Sequence, residues 1–259
     1  MRAALLLLVA PVALVAASCG DTLSLDPVAK AATESAKQTS EHMHMTARVS
    51  SAGRVISMSG EGDFANDPTL GKLTVGVISG GRVDTMREVM QGTRIYLSSD
   101  LFAQQLPAGK TWLSVDVAKA GKSLGIDVNR YSSQSPSDTL AQLKESTSVQ
   151  VVGRATVGGV RTTHYTSTLD PGKLAKLEQA AHVQLDYRPV DVWIDGRGLV
   201  RKLHMAFAET DAAGTASSSD ITIELSKYGE TVPVVVPFDW ETYDATDAAA
   251  NAIKDGGRS

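Results

Sequence analysis

The chain has 259 residues, a formal net charge of −4, 42% hydrophobic and 5% aromatic residues, and one cysteine. This mildly negative balance argues against nucleic acid or anionic lipid headgroups as electrostatic partners, because both require a basic surface. A lone cysteine allows no disulfide within the chain, so stability must come from a hydrophobic core, which a chain of this length can bury. The low aromatic content, with many Val, Thr and Ser residues, favours a β-rich fold.

The N-terminal segment has the pattern of an export signal. Arg2 gives a short positive region, residues 3–17 form an apolar run, and small residues precede Cys19. The run is shorter than the roughly 20 apolar residues of a membrane span, and the small residues are typical of a cleavage site. The segment resembles the bacterial lipobox, although Ala16 stands where that motif most often has Leu. The resemblance implies acylation of Cys19 on sulfur, and the alternative is an ordinary signal peptide with an incidental cysteine.

These features predict how the chain is divided. We expect residues 1–18 to be a lipoprotein signal peptide and residues 19–25 a lipidated tether. Residues 26–240 should form a single domain, followed by a flexible C-terminal tail over 241–259, where the sequence is rich in Ala, Asp and Gly. The mature protein should be held at the extracytoplasmic face of the cell membrane through Cys19.

After the tether, the sequence predicts one helix and then a series of strands. Asp26-Pro27 is an N-cap followed by Pro at the first helical position, which predicts a helix over Val28–Ser40. From Glu41 to Val49, apolar and polar side chains alternate, as in a strand with one buried and one solvated face. Further strands, separated by turn residues, are predicted over Val55–Phe64, Leu73–Val77, Val83–Met90, Arg94–Ser98 and Thr111–Val117.

The middle of the chain changes to helical spacing before the strand pattern resumes. Helices are predicted over Asp116–Leu124, Pro136–Glu145 and Lys173–Ala181. The later strands are predicted over Val149–Val157, Val160–Leu169, Val183–Asp195, Leu199–Glu209 and Ile221–Leu225, and Val232–Phe238 should be extended at a sheet edge because of its prolines. Sequential hairpins produce an antiparallel sheet, and long strands imply strong curvature. We predict one α+β domain with about ten or eleven strands.

Two segments and their setting resemble a known family. Residues 159–165 read Gly-Val-Arg-Thr-Thr-His-Tyr, and residues 189–195 read Pro-Val-Asp-Val-Trp-Ile-Asp. Together with the lipobox, the long meander and the central helices, they resemble the LppX/LprAFG-like actinobacterial lipoproteins, which are related in shape to the LolA and LolB carriers. The resemblance implies a half-barrel whose concave face is covered by helices, with a cavity that holds the acyl chains of a lipid or glycolipid. It also implies carriage of such lipids across the cell envelope, with an envelope transporter as a further partner.

The predicted cavity is lined by apolar residues of the strands and of one covering helix. Several are methionines, whose unbranched and adaptable side chains suit chains of variable shape, although Met also fills irregular cores. The residues predicted to line the cavity are Met43, Met45, Ile56, Met58, Val75, Val77, Ile95, Leu97, Leu140, Leu143, Leu203, Met205, Ile221 and Ile223. A lipid-anchored adaptor of the same fold, with a closed core that binds an envelope protein, is the alternative function. An apolar void above about 300 Å³ would distinguish the two.

Catalytic and cofactor motifs are absent from the sequence, so we predict a protein that is not an enzyme and has no cofactor or metal. His42 and His44 share a strand face at a zinc-compatible spacing, but no further ligand is nearby, and a solvated face is favoured. Residues 121–123 (Gly-Lys-Ser) lack the earlier glycine of a phosphate loop, and no Gly-X-Ser-X-Gly elbow occurs. Asp191 and Asp195 could pair as carboxylates, but a solvent-facing side chain and a turn residue are simpler interpretations. Lone strand histidines are more often structural than catalytic, and this applies to His164 and His204.

Overall fold

The computed structural model describes residues 26–66, 69–124, 146–169, 183–211 and 214–256. Its helices are α1 (Pro27–Ala36), α2 (Asp100–Ala103), α3 (Val117–Leu124) and α4 (Thr246–Gly256). Its strands are β1 (Ser40–Ser51), β2 (Arg54–Asn66), β3 (Thr69–Ser79), β4 (Arg82–Gln91), β5 (Arg94–Ser99), β6 (Trp112–Asp116), β7 (Ser146–Val157), β8 (Val160–Leu169), β9 (Val183–Tyr187), β10 (Val190–Asp195), β11 (Val200–Asp211), β12 (Ala216–Ser226) and β13 (Thr242–Asp244).

These strands form one curved, unclosed sheet of 13 strands in the order β13-β6-β5-β4-β3-β2-β1-β12-β11-β10-β8-β7, with β9 also paired to β11. Every pairing is antiparallel except that of β13 with β6. β1 pairs with β12, so the N-terminal meander and the C-terminal strands join in the middle of the sheet. The predicted α+β class and the curved antiparallel sheet are confirmed.

The sheet has more strands than the sequence predicted, for local reasons. The strand predicted over Val183–Asp195 is divided into β9 and β10 at Arg188-Pro189. Both parts lie along β11, and Pro189 has no backbone N–H to contribute to the ladder. β13 was not predicted, because it contains only three residues. The segment Val232–Phe238, predicted at a sheet edge, forms no strand.

Helix α1 begins where its sequence signals predict. The Asp26 side chain accepts hydrogen bonds from the amides of Val28 (2.8 Å) and Ala29 (3.1 Å), and Pro27 occupies the first turn. The helix ends at Ala36, four residues before the predicted end. Its buried side chains join the hydrophobic core together with residues of β1, β2, β4, β10, β11 and β12. We call the sheet face that packs on α1 the inner face and the opposite face the outer face.

The C-terminal segment is folded where the sequence predicted a flexible tail. β13 runs parallel to β6, and α4 packs against α3 and β6. Thr246 is 1% exposed, and its hydroxyl accepts a hydrogen bond of 2.9 Å from the amide of Asp116. Ala250 of α4 is also buried. The segment gains its structure from contacts with residues more than a hundred positions earlier, which local composition does not report.

Some predictions concern residues outside the described ranges. The signal peptide, Cys19, and the helices predicted over Pro136–Glu145 and Lys173–Ala181 lie there. Among the helices in the described ranges, none has the length and apolar character needed to cross a membrane.

Candidate functional site

The strand register places the predicted apolar residues on one face of the sheet. Met43 lies opposite Leu225 of β12 and Gly62 of β2, and Leu203 lies opposite Ile223. Because side chains alternate along each strand, the register can be followed across the sheet from these pairs. The predicted residues that share the inner face are Met43, Met45, Ile56, Met58, Val75, Val77, Ile95, Leu97, Leu203, Met205, Ile221 and Ile223. Leu140 and Leu143 lie outside the described residues. That these residues line a ligand cavity stays a prediction.

Burial on the inner face decreases from the α1 end of the sheet towards the hairpin tips. At the α1 end, Met43 is 5% exposed, Phe64 2% and Leu203 1%. Near the tip of the β1–β2 hairpin, Met58 is half-buried and Ile56 is 37% exposed. Inner-face residues of β5 and β6 are also only half-buried, namely Ile95, Leu97, Leu113 and Val115. The inner face is therefore a closely packed core at one end and an incompletely covered apolar surface elsewhere.

Inner-face glycines allow close packing of the strongly curved meander. A Cβ placed on Gly62 would lie 2.6 Å from the carbonyl oxygen of Lys72 and 2.9 Å from a ring carbon of Phe64. A Cβ on Gly71 would lie 2.7 Å from the same ring. The Phe64 ring thus occupies the space that side chains at these positions would fill. Glycine in a strand interior commonly marks this kind of close approach and bend.

Glu88 places a carboxyl group among apolar side chains of the inner face. Glu88 of β4 is opposite Leu73 of β3 and Leu97 of β5, and it is 8% exposed. Burial raises the pKa of its carboxyl group. Within the described ranges, Glu88 has no hydrogen bond or ion pair to another residue. Sequence reasoning missed this residue, because a glutamate at an inward position of one strand can be identified only once the facing strands are known.

A polar cluster fixes α1 to the turn between β10 and β11. Asp195 is buried and forms an ion pair of 2.8 Å with the Arg201 guanidinium, and it accepts hydrogen bonds from the amides of Arg197 and Leu199. Burial alone would raise the pKa of the Asp195 carboxyl group, but these hydrogen bonds and the guanidinium hold it below its usual range. The amide of Val200 donates to the Ser35 hydroxyl of α1 at 2.9 Å. This geometry assigns Asp195 a structural role.

Three described histidines of the outer face each lie within hydrogen-bond distance of a carboxylate. His42 Nδ1 lies 2.7 Å from Asp63. His164 Nε2 lies 2.8 Å from Asp191, and its ring stacks on Trp193 with centroids 4.2 Å apart. His204 lies between Asp191 (3.5 Å) and Asp220 (3.1 Å). In the part of the chain that the structure describes, no group of His, Cys, Asp and Glu side chains has the arrangement of a metal site.

A comparison with protein families finds a match over most of the chain. The profile of the LppX_LprAFG lipoprotein family matches residues 26–234. The chain belongs to the LppX_LprAFG lipoprotein family. The match confirms the resemblance drawn from the sequence, and it covers α1 and every strand of the sheet except β13.

The individual proteins to which the chain is similar have low sequence identity to it. An uncharacterised 31.2 kDa protein of Streptomyces griseus is 27% identical over 233 residues, covering 79% of this chain and 73% of its own length. The crystal structure of the Mycobacterium tuberculosis lipoprotein LppX is similar over 81% of this chain and 100% of its own, with 19% identity and a TM-score of 0.46. LprF from Mycobacterium bovis is similar over 82% of this chain and 94% of its own, with 14% identity and a TM-score of 0.46.

Proposed function

We propose that this LppX_LprAFG family lipoprotein binds the acyl chains of a lipid or glycolipid on the inner face of its sheet and carries that lipid across the cell envelope. The observation that carries the proposal is the largely apolar inner face, whose side chains are only half-buried over much of β2 to β6. An acyl chain placed there would remove apolar area from water at about 25 cal/mol per Å², or about 0.8 kcal/mol for each buried CH₂ group. Such binding needs few directional contacts, which suits a carrier rather than an enzyme.

The proposed lipid anchor keeps the carrier beside a membrane. Cys19, acylated on sulfur, would be followed by a tether over residues 19–25. About seven residues can span at most about 25 Å when fully extended, so the sheet would stay close to the bilayer surface. The substitution Cys19→Ser should abolish incorporation of radiolabelled palmitate and release the protein from the membrane fraction. Retained labelling would overturn the anchor.

Lipid that co-purifies with the protein tests the carrier directly. We expect native mass spectrometry of the full-length protein, extracted gently in detergent, to detect bound acylated lipid. Delivery from donor to acceptor vesicles, followed by a fluorescent acyl lipid, would test carriage. A protein that retains no lipid and has a solidly packed core would overturn the carrier and favour an adaptor that binds an envelope protein.

A blocking substitution localises binding to the inner face. Met205 is half-buried on the inner face and packs against the core, whereas the adjacent Ala206 is half-buried on the outer face. Met205→Trp should occupy acyl space and reduce lipid binding at least tenfold with the fold retained. Ala206→Trp adds a similar bulk to the outer face of the same strand and should leave binding unchanged. Equal effects of the two substitutions would count against the inner face as the binding surface.

A further inference from the structure

A buried carboxyl group on an otherwise apolar face is energetically unfavourable unless a polar group meets it. Glu88 is 8% exposed, and its neighbours across the strands are Leu73 and Leu97. Along β4, the flanking inner-face residues are Met86 and Met90. Leucine or methionine at position 88 would fit the same surroundings without the cost of removing a carboxyl group from water. Packing of the apolar face therefore does not explain a glutamate at this position.

No described side chain compensates Glu88. Among the residues in the described ranges, none donates a hydrogen bond to its carboxyl group or forms an ion pair with it. Asp195, a buried carboxylate of the core, differs in this respect, because it pairs with Arg201 and accepts hydrogen bonds from backbone amides. Glu41 lies at the closely packed α1 end of the inner face, away from its half-buried part. The Glu88 carboxyl group also lies on the face to which we assign the lipid. The position and the polarity together indicate a contact to the ligand.

We propose that Glu88 is a polar contact of the binding face and that it hydrogen-bonds the carbonyl oxygen of an acyl ester in the bound lipid. This inference rests on the proposed function. An ester carbonyl is the first polar group next to an acyl chain, so a chain laid on the apolar face up to its ester end brings its carbonyl oxygen to that face. A neutral carboxylic acid can donate a hydrogen bond to a carbonyl oxygen, and a carboxylate cannot. Burial favours the neutral form of Glu88, which is consistent with this role.

The proposal predicts that the protein binds lipids of different chemical classes with different affinities. Lipids with ester-linked chains gain the hydrogen bond from Glu88, and lipids with ether-linked chains of equal length do not. A lipid that placed a further anionic group beside Glu88 would be disfavoured. One hydrogen bond that is made in a buried site corresponds to a preference of about 5- to 10-fold. Glu88 thus acts as a specificity-determining residue, and the apolar face supplies the bulk of the affinity.

Competition between an ester and its ether analogue tests the contact. The delipidated full-length protein would be incubated with an equimolar mixture of dioleoylglycerol and the corresponding dioleyl diether, and native mass spectrometry would give the ratio of the two complexes. We expect wild-type protein to favour the ester about 5- to 10-fold. Glu88→Leu should lower this ratio to about one, whereas Glu88→Gln should retain it, because the amide N–H can donate to the same carbonyl oxygen.

Controls make each outcome decisive. Thr85→Ala changes an exposed residue on the outer face of the same strand, and it should keep the wild-type ratio. A wild-type ratio near one, or a Glu88→Leu ratio equal to that of wild type, would overturn the contact while leaving the carrier intact. Wild-type protein that retains neither lipid would overturn the carrier and the contact together. Near-ultraviolet circular dichroism of Glu88→Leu would show that a loss of preference does not reflect a loss of fold.

Discussion

The substitution Gly62→Ala should destabilise the protein, although alanine normally stabilises a strand relative to glycine. Gly62 has no positive φ, so alanine fits its backbone conformation. The new methyl group would lie 2.6 Å from the Lys72 carbonyl oxygen, 2.9 Å from the Phe64 ring and 3.1 Å from a Leu73 methyl group. Overpacking of this kind costs about 1–3 kcal/mol, and the smaller unfolded-state entropy of alanine returns about 0.4–1 kcal/mol. We expect a net loss of about 1–2 kcal/mol.

Gly76 supplies the matched control on the next strand. It lies on the outer face of β3, opposite Ser59, and its nearest atom to a new Cβ is 3.8 Å away. Gly76→Ala should therefore be neutral or stabilising by up to about 1 kcal/mol. For a domain of this size, a difference of about 2 kcal/mol between the variants corresponds to about 4–8 °C in Tm. Thermal unfolding followed by circular dichroism measures it, and equal Tm values would refute the close approach at Gly62.

Four further substitutions have defined outcomes in urea or thermal unfolding. Arg201→Met leaves the buried Asp195 without its closest cation and should cost about 3 kcal/mol. Arg197→Met removes an exposed guanidinium 3.6 Å from the same carboxylate and should cost less than about 0.5 kcal/mol. Glu88→Gln should raise Tm more at pH 7 than at pH 4. The folded-state pKa of this carboxyl group is raised above its ordinary 4.5, so its contribution to stability is present at low pH and is lost as pH rises. Asp26→Ala removes the N-cap of α1 and should cost about 1 kcal/mol.

Each of these predictions has a result that would contradict it. Equal losses for the two arginine variants would show that burial does not distinguish their ion pairs. A Tm change for Glu88→Gln that is the same at both pH values would mean that its carboxyl group does not titrate differently in the folded state. An unchanged free energy of unfolding for Asp26→Ala would mean that water replaces the cap without cost.

The positions of the strands, and the sheet face on which each side chain lies, were predictable because both depend on local sequence. A two-residue period fixes which side chains share a face, so the alternation of Met43 and Met45 with polar neighbours predicted the inner face of β1. The Asp26-Pro27 signal fixed the start of α1 for the same reason. The predicted strand residues on the other strands share that face because each strand keeps its own alternation, and hairpin turns set the register between neighbours.

Pairings between distant segments were not predictable from local pattern. The contact of β1 with β12 and the packing of α4 against β6 and α3 each depend on residues far apart in the chain. For the same reason, the C-terminal segment was expected to be a flexible tail. Local composition indicates the structure that an isolated segment favours. The burial of Thr246 depends instead on the distant residues that it contacts.

The sequence by itself predicted an export signal that ends at the lone Cys19, and it determined the strand alternation that makes one face largely apolar and the resemblance to a lipoprotein family. Each depends on residue order over a short range. Only the tertiary structure decided that Gly62 makes room for Phe64, that Asp195 and Arg201 form a buried pair, and that Glu88 stands on the apolar face. The physical reason is that burial, close approach and the loss of water around a charge arise only when strands pack against each other. The sequence of a single strand does not specify them.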